Sequence, residues 1–138
     1  MKKDEFTLLH PSNLQISSKT TEGSVLAING VKKRDMKTSW VWYDLPIAKI
    51  YNKNVILSLV FRNRNLNSLT ITLEDNQLYG SNWNDWEEKK EKLRVAHTTL
   101  WFEKAGYSLG KYTWGEVWSS FDQKSGLGNG GINYYPCQ

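Results

Sequence analysis

The sequence predicts an α+β fold in which one long helix packs on an antiparallel β-sheet of about six to eight strands, forming a sandwich or half-barrel. Most of the chain alternates apolar and polar residues with the period of two that is typical of strands. Only residues 82–106 combine a helical period with signals for both helix ends. A length of 138 residues is typical of one domain, which is expected to span residues 1–138.

Two short strands are expected within the first 30 residues. Leu14 and Ile16 alternate with polar neighbours, as in a strand that is half-buried. Residues 24–28 form a second apolar segment, which ends at Asn29–Gly30, a pair that favours a hairpin turn.

An aromatic strand is expected at residues 39–45. Its side-chain period of two places Trp40 and Trp42 on one face, and Val41 and Tyr43 on the other. The chain contains seven tryptophans, seven tyrosines and four phenylalanines. These rings either fill the core of a small β-rich domain or form a recognition surface.

The clearest strand pair is a hairpin formed by residues 55–62 and 68–73. The first segment is apolar on both faces, which is typical of a central strand. The second alternates strictly, so that Leu69, Ile71 and Leu73 are expected to point into the core.

The helix at residues 82–106 is expected to lie across the sheet. Asn82, Asn84 or Asp85 can cap its first turn, and Gly106 can end it. A stripe with helical spacing is expected to face the core, and it consists of Trp83, Trp86, Leu93, Ala96, Leu100 and Trp101.

The segment after the helix returns to a period of two. Residues 111–121 place Trp114, Glu116 and Trp118 on one face of a strand. Residues 122–131 read as a flexible glycine-rich loop before a last strand. Three of its glycines match G-x-G-x-x-G, but too few residues follow for the helix that a phosphate site requires.

Charge and cysteine content exclude several classes of function. The net charge is +4, yet Lys32–Lys33–Arg34 is the only basic triplet, so a nucleic-acid partner is not expected. The single cysteine, Cys137, allows neither an internal disulfide nor a cysteine metal cluster. No apolar run resembles a signal peptide or a membrane span, which favours the cytoplasm.

Catalytic and carbohydrate sites are possible alternatives. A small enzyme would need Glu116 and His97 in one pocket. His10 and His97 lack a pattern of metal ligands around them, so neither a metal nor another cofactor is expected. The pairs Trp40/Trp42 and Trp114/Trp118 can form platforms for sugar rings if they lie on an open face.

The C-terminal third resembles small bacterial immunity proteins of polymorphic-toxin and contact-dependent inhibition systems. The resemblance covers roughly residues 80–135. It rests on a helix followed by Trp114–Gly115–Glu116, Ser119–Ser120–Phe121–Asp122, Lys124–Ser125–Gly126 and Ile132–Asn133–Tyr134. It implies a cytoplasmic, non-enzymatic protein that binds and blocks one toxin domain.

A protein–protein contact is therefore the expected function. Exposed groups near the helix and the last hairpin are the expected contact surface, with Trp118 or Tyr134 as an aromatic anchor. The full set of expected contact residues is Glu87, Glu88, Glu91, Glu116, Trp118, Asp122, Lys124 and Tyr134.

Overall fold

The structure is a computed structural model that describes residues 4–35, 37–80 and 86–135. Within these ranges the chain forms ten strands and three helices. The helices are α1 (Glu22–Leu26), α2 (Asn76–Tyr79) and α3 (Glu88–Lys104). The strands are β1 (Leu8–His10), β2 (Leu14–Ile16), β3 (Lys32–Asp35), β4 (Trp40–Asp44), β5 (Ala48–Ile50), β6 (Lys53–Arg62), β7 (Asn65–Glu74), β8 (Gly110–Lys111), β9 (Gly115–Asp122) and β10 (Leu127–Tyr134).

The predicted α+β class is confirmed. Eight strands form one sheet in the order β3-β4-β6-β7-β10-β9-β8, with β5 paired to the start of β6. Strands β1 and β2 form a separate hairpin. All of these pairings are antiparallel, and the one long helix, α3, packs on β9, β10 and β7.

The predicted central hairpin is also confirmed. Strands β6 and β7 are each ten residues long and pair from Asn54–Glu74 to Arg62–Asn65, with one irregularity between Val60 and Phe61. Leu69, Ile71 and Leu73 are fully buried, as the alternation predicts.

Helix α3 is shorter than the predicted segment 82–106. It begins at Glu88, and Glu87 in the cap position makes no side-chain capping bond. Three expected caps, Asn82, Asn84 and Asp85, lie outside the described residues. The predicted end is confirmed, because Gly106 has a φ of +98° and the Tyr107 N–H donates to the carbonyl of Phe102, as in a Schellman motif.

The predicted buried stripe of the helix is wrong apart from Trp101. Leu93 and Leu100 are 39% and 59% exposed, Ala96 is exposed, and Trp86 lies before the helix and is 38% exposed. Trp83 lies outside the residues that the structure describes. The helix instead buries Glu91, Arg94, Thr98, Trp101 and Phe102.

Two segments differ from their predicted structure. Residues 24–28 are expected to form a strand, but Glu22–Leu26 is a short helix. Thr21 caps it, because the Ser24 N–H donates to Thr21 Oγ1 at 3.2 Å. The expected glycine loop at residues 122–131 is a short turn at residues 123–126. Strand β10 follows directly, so three of the four glycines are strand residues.

Candidate functional site

One face of the eight-stranded sheet is covered by the rest of the chain. A cross-strand row on this face runs through five apolar residues that are at most 1% exposed: Tyr43, Leu59, Leu69, Ile132 and Val117. We call this side the covered face.

Helix α3 and the N-terminal segments pack on the covered face. A side chain at Gly130 would collide with Thr98 and Phe102 of α3, which places the helix against this side of β10. Phe6 packs against Phe102 with ring centroids 6.0 Å apart. Near β4, the hydroxyl of Tyr43 donates to Glu22 of α1 at 2.8 Å.

The opposite side of the sheet, which we call the uncovered face, carries a row of different character. Its neighbours across the strands are Arg34, Trp42, Val60, Ser68, Asn133 and Glu116. Apart from Val60, each of these residues keeps part of its surface in solvent. No described helix packs on this side, so the row is available to a ligand or partner.

Two arginines stack on two tryptophans at the β3–β4–β6 end of the uncovered face. The Arg34 guanidinium carbon lies 5.1 Å from the Trp42 ring centroid, and that of Arg62 lies 5.0 Å from the Trp40 ring. We call these four residues the Arg–Trp ladder. Cation–π contacts hold each guanidinium against an indole, so the ladder presents positive charge on a rigid aromatic base.

A carboxylate fixes one end of this ladder. Asp44 Oδ1 accepts hydrogen bonds from Arg34 at 2.8 Å and from the Ser58 hydroxyl at 2.7 Å. Because Asp44 pairs with Ser58 across β4 and β6, the contact orients Arg34 along the sheet surface. The sequence could not reveal it, because it depends on the register of three strands.

Trp118 is an aromatic residue of the uncovered face on β9, on the other side of the sheet's centre from the Arg–Trp ladder. It pairs with Gly131, and a Cβ at Gly131 would lie 2.8 Å from Trp118 Cζ2. Glycine therefore lets the indole lie flat against the sheet. A glycine within a strand pattern is the sequence signal for such a close approach, and Gly131 stands where the expected glycine loop meets the expected last strand.

The expected contact residues are divided between two regions. Glu116 and Trp118 lie half-buried on the uncovered face. Four others are exposed near the start of α3 and the β9–β10 turn: Glu87, Glu88, Asp122 and Lys124.

The helix start and the β9–β10 turn lie side by side. The indole N–H of Trp86 donates to the Gly126 carbonyl at 2.7 Å, and Lys92 pairs with Glu88 at 3.1 Å. Within the turn, the backbone N–H of Lys124 donates to Asp122 and lowers the pKa of that carboxyl group.

The expectation that Glu91 is exposed is wrong. Its side chain is 3% exposed, and Oε1 accepts hydrogen bonds from Arg94 at 2.6 Å and from the Gly128 N–H at 2.9 Å. Arg94 is also buried and lies over the Tyr79 ring at 4.8 Å. Glu91 therefore joins α3 to β10. The sequence does not indicate this buried pair, because alternating charges are typical of a solvent-exposed helix face.

The expectation that Tyr134 is an exposed anchor is also wrong. Its side chain lies on the covered face and is 5% exposed, and its hydroxyl donates to the Phe6 carbonyl at 2.8 Å. Burial raises the pKa of the Tyr134 hydroxyl. This residue holds the N-terminal segment to the sheet.

The acid–base pair suggested for a small enzyme does not form. His97 lies on α3 and shares a 2.7 Å hydrogen bond with the Tyr79 hydroxyl, whereas Glu116 lies on the uncovered face. The sheet separates the two side chains. Among the described residues there is also no group of three or more histidine, cysteine, aspartate or glutamate side chains placed to hold a metal ion.

The tryptophans expected to form sugar platforms are not all on one side. Trp40, Trp42 and Trp118 lie on the uncovered face. Trp114 precedes β9 and stacks on Tyr112, with centroids 5.1 Å apart, while contacting Tyr134 of the covered face. The expected Trp114/Trp118 ladder therefore does not form.

The sequence matches no family model, no curated protein and no solved structure. In the described ranges, no helix has the length and apolar character needed to cross a membrane. The uncovered face is thus identified as the candidate site by its geometry alone.

Proposed function

We propose that this protein is a cytoplasmic immunity protein that neutralises a cognate toxin domain by direct contact, and that the uncovered face is the centre of that contact. The observation that carries the proposal is the partly exposed sheet surface between the Arg–Trp ladder and Trp118. Helices and the N-terminal segments cover the other face of the same sheet, whereas this face offers its side chains to solvent.

The residue types on the uncovered face are those that dominate binding energy in protein interfaces. Tryptophan and arginine are the most enriched interface hot spots, and they act best when held rigid before binding. Arg34 is held by both Trp42 and Asp44. Trp118 is held flat by Gly131. Both anchors therefore lose little conformational freedom on contact.

The charge of this surface indicates the type of toxin. Immunity proteins that block a basic nuclease cleft gain from an acidic surface, since opposite potentials attract. At the ladder, Asp44 already pairs with Arg34, whereas Arg62 has no ion-pair partner among the described residues, and the whole chain carries +4. We therefore propose a target whose contact surface is acidic where it meets the ladder.

Co-expression with candidate toxin domains from the same genome tests the function. We expect the wild-type protein to restore growth and to bind the purified toxin domain. Trp42→Ala and Trp118→Ala are each expected to weaken binding by about 2 kcal/mol, roughly thirtyfold, as measured by calorimetry.

Leu100→Ala is the matched control, because Leu100 is an exposed apolar residue on the outer face of α3. It is expected to bind within about twofold of wild type. Alanine variants of Glu87, Glu88, Asp122 and Lys124 show whether the helix start belongs to the same interface. If no position on the uncovered face costs more than about 1 kcal/mol, that face is not the contact surface.

A carbohydrate-binding function is the second candidate. The half-exposed Trp42 and Trp118, with the polar side chains of Ser68, Thr70 and Asn133 between them, favour it. Against it, Arg34 and Arg62 already occupy one ring face of Trp42 and Trp40. Tryptophan fluorescence during titration with neutral oligosaccharides tests this candidate, and a saturable change that Trp118→Ala abolishes would support it.

A further inference from the structure

A cleft of about 660 Å³ lies at one end of the sheet, beside the Arg–Trp ladder. Its walls come from the N-terminal segment, the β6–β7 turn, and the residues flanking β9 and β10. The volume is within the range of sites that hold small ligands or a few residues of a peptide. Arg62 belongs to both the cleft and the ladder, so the cleft adjoins the ladder.

The cleft carries more free positive than negative charge. Lys19, Arg62 and Glu5 are its three charged lining residues, which gives a local balance of +1. Both carboxylate oxygens of Glu5 are already engaged, since they accept the Ser18 N–H at 2.8 Å and the Ser18 hydroxyl at 2.7 Å. Lys19 is exposed and makes no ion pair among the described residues.

The Trp114 side chain forms part of the cleft wall. The indole N–H of Trp114 is shielded from solvent and has no hydrogen-bond partner within the described part of the chain. Because this N–H lies behind the accessible surface of the cleft, it serves as a local reporter of binding and not as a donor to the bound group.

We propose that this cleft binds the carboxylate side chains of an acidic polypeptide segment. Arg62 and Lys19 supply charge-assisted hydrogen bonds, which carboxylates accept strongly. Three asparagines of the β6–β7 turn, Asn63, Asn65 and Asn67, line the same cleft. Their amides can both donate to and accept from a peptide backbone, which a free carboxylic acid does not offer.

This inference goes beyond the proposed function. It concerns the recognition of an acidic peptide by the cleft, and it does not require that the peptide belong to a toxin. The test uses the ¹⁵N-labelled protein and two blocked tripeptides, acetyl-Glu-Glu-Glu-amide and acetyl-Gln-Gln-Gln-amide. The peptides have the same backbone and nearly the same size, so a difference between them reports the carboxylates. The Trp114 indole N–H signal, assigned with Trp114→Phe, is the local readout.

We expect the acidic peptide to shift the Trp114 indole signal in a saturable manner and the neutral peptide to leave it unchanged. Arg62→Gln and Lys19→Gln are each expected to weaken binding about tenfold, and Arg62→Lys to restore most of it. Lys89→Gln is the matched control, since it removes the same charge from an exposed helix position far along the chain, and it should bind as wild type.

Three results would overturn the proposal. Equal shifts with both peptides would show that carboxylates are not recognised. No shift up to about 10 mM peptide would exclude a site of even weak affinity. Glucuronate binding as tightly as the acidic peptide would show that the site takes a free acid rather than a polypeptide. Growth protection by the wild-type protein does not depend on any of these outcomes, so the two proposals fail separately.

Discussion

Neighbouring rows on the two faces of the sheet have opposite composition. On the covered face, the row from Tyr43 to Val117 is apolar and buried. One residue along each strand, the row from Arg34 to Glu116 is polar or aromatic and partly exposed. Both rows cross β4, β6, β7, β10 and β9, so along these strands the backbone is shared and only the side chains differ.

The difference separates the part of the molecule that holds the fold together from the part that is free to bind. An antiparallel sheet needs only one buried face for stability. Substitutions on the covered face should therefore change the free energy of unfolding, and those on the uncovered face should mainly change binding. The following predictions test this division, beginning with the largest expected effect.

Two tryptophans give the most direct comparison. Trp101 on α3 is 3% exposed and donates its N–H to the Ile50 carbonyl at 3.0 Å. Trp101→Ala is expected to lower the free energy of unfolding by about 3–5 kcal/mol, because it leaves a cavity and an unpaired carbonyl. Trp118→Ala, on the uncovered face, is expected to cost less than about 2 kcal/mol. Urea denaturation measures both, and similar losses would contradict the division.

Two ion pairs of α3 extend the comparison to charged groups. Glu91 and Arg94 are buried, whereas Glu88 and Lys92 are more than half exposed. Glu91→Gln leaves the Arg94 charge buried without a counterion, so it is expected to cost about 3–5 kcal/mol. Glu88→Gln is expected to cost less than about 1 kcal/mol. If both variants unfold at the same urea concentration, the buried pair does not stabilise the covered face.

Glycines test how closely α3 approaches the sheet. A Cβ at Gly128 would collide with the Glu91 carbonyl oxygen, whereas at Gly23 in α1 nothing lies within 4 Å. Gly128→Ala is expected to cost about 2–3 kcal/mol by forcing the helix away from β10. Gly23→Ala is the control and is expected to be neutral or to stabilise by up to about 1 kcal/mol. Thermal unfolding distinguishes the two, and a stable Gly128→Ala would show that α3 can shift freely.

The covered face of the sheet could be predicted from the sequence better than the helix above it. Leu69, Ile71 and Leu73 alternate strictly with polar residues, and this local pattern fixes which side chains are buried. The helix does not follow its most apolar stripe. It turns Glu91 and Arg94 inward because they satisfy each other and the Gly128 N–H, and that compensation involves residues 37 positions apart.

The candidate site was harder to predict from the sequence, because more of it is formed by contacts between distant residues. Glu116 and Trp118 could be placed on one face from their spacing. The Arg–Trp ladder could not, because Arg34 meets Trp42 only through the register of β3 on β4, and Arg62 meets Trp40 only through the register of β4 on β6. The contact of Gly131 with Trp118 could not be predicted for the same reason, since it involves two different strands.

The smallest expected effect concerns pH and a hydroxyl group on the covered face. Burial and the hydrogen bond to Glu22 raise the pKa of Tyr43 to about 12, while an unfolded tyrosine titrates near pH 10. Between these values the unfolded chain has lost a proton that the folded chain keeps, so stability falls as the pH rises from about 10 to about 12. Tyr43→Phe removes this ionisable group, so the free energy of unfolding is expected to fall less steeply between about pH 10 and about pH 12. Below about pH 10 the variant is expected to be about 1 kcal/mol less stable, because the hydrogen bond to Glu22 is lost.

The pKa of Tyr79 is likewise raised to about 12, so the free energy of unfolding of the variant should still fall with pH to some extent. Unfolding curves recorded every half unit across this window measure the effect. Parallel curves for the two proteins would mean that the Tyr43 hydroxyl ionises in the folded state as readily as in water, and that this part of the covered face is open to solvent.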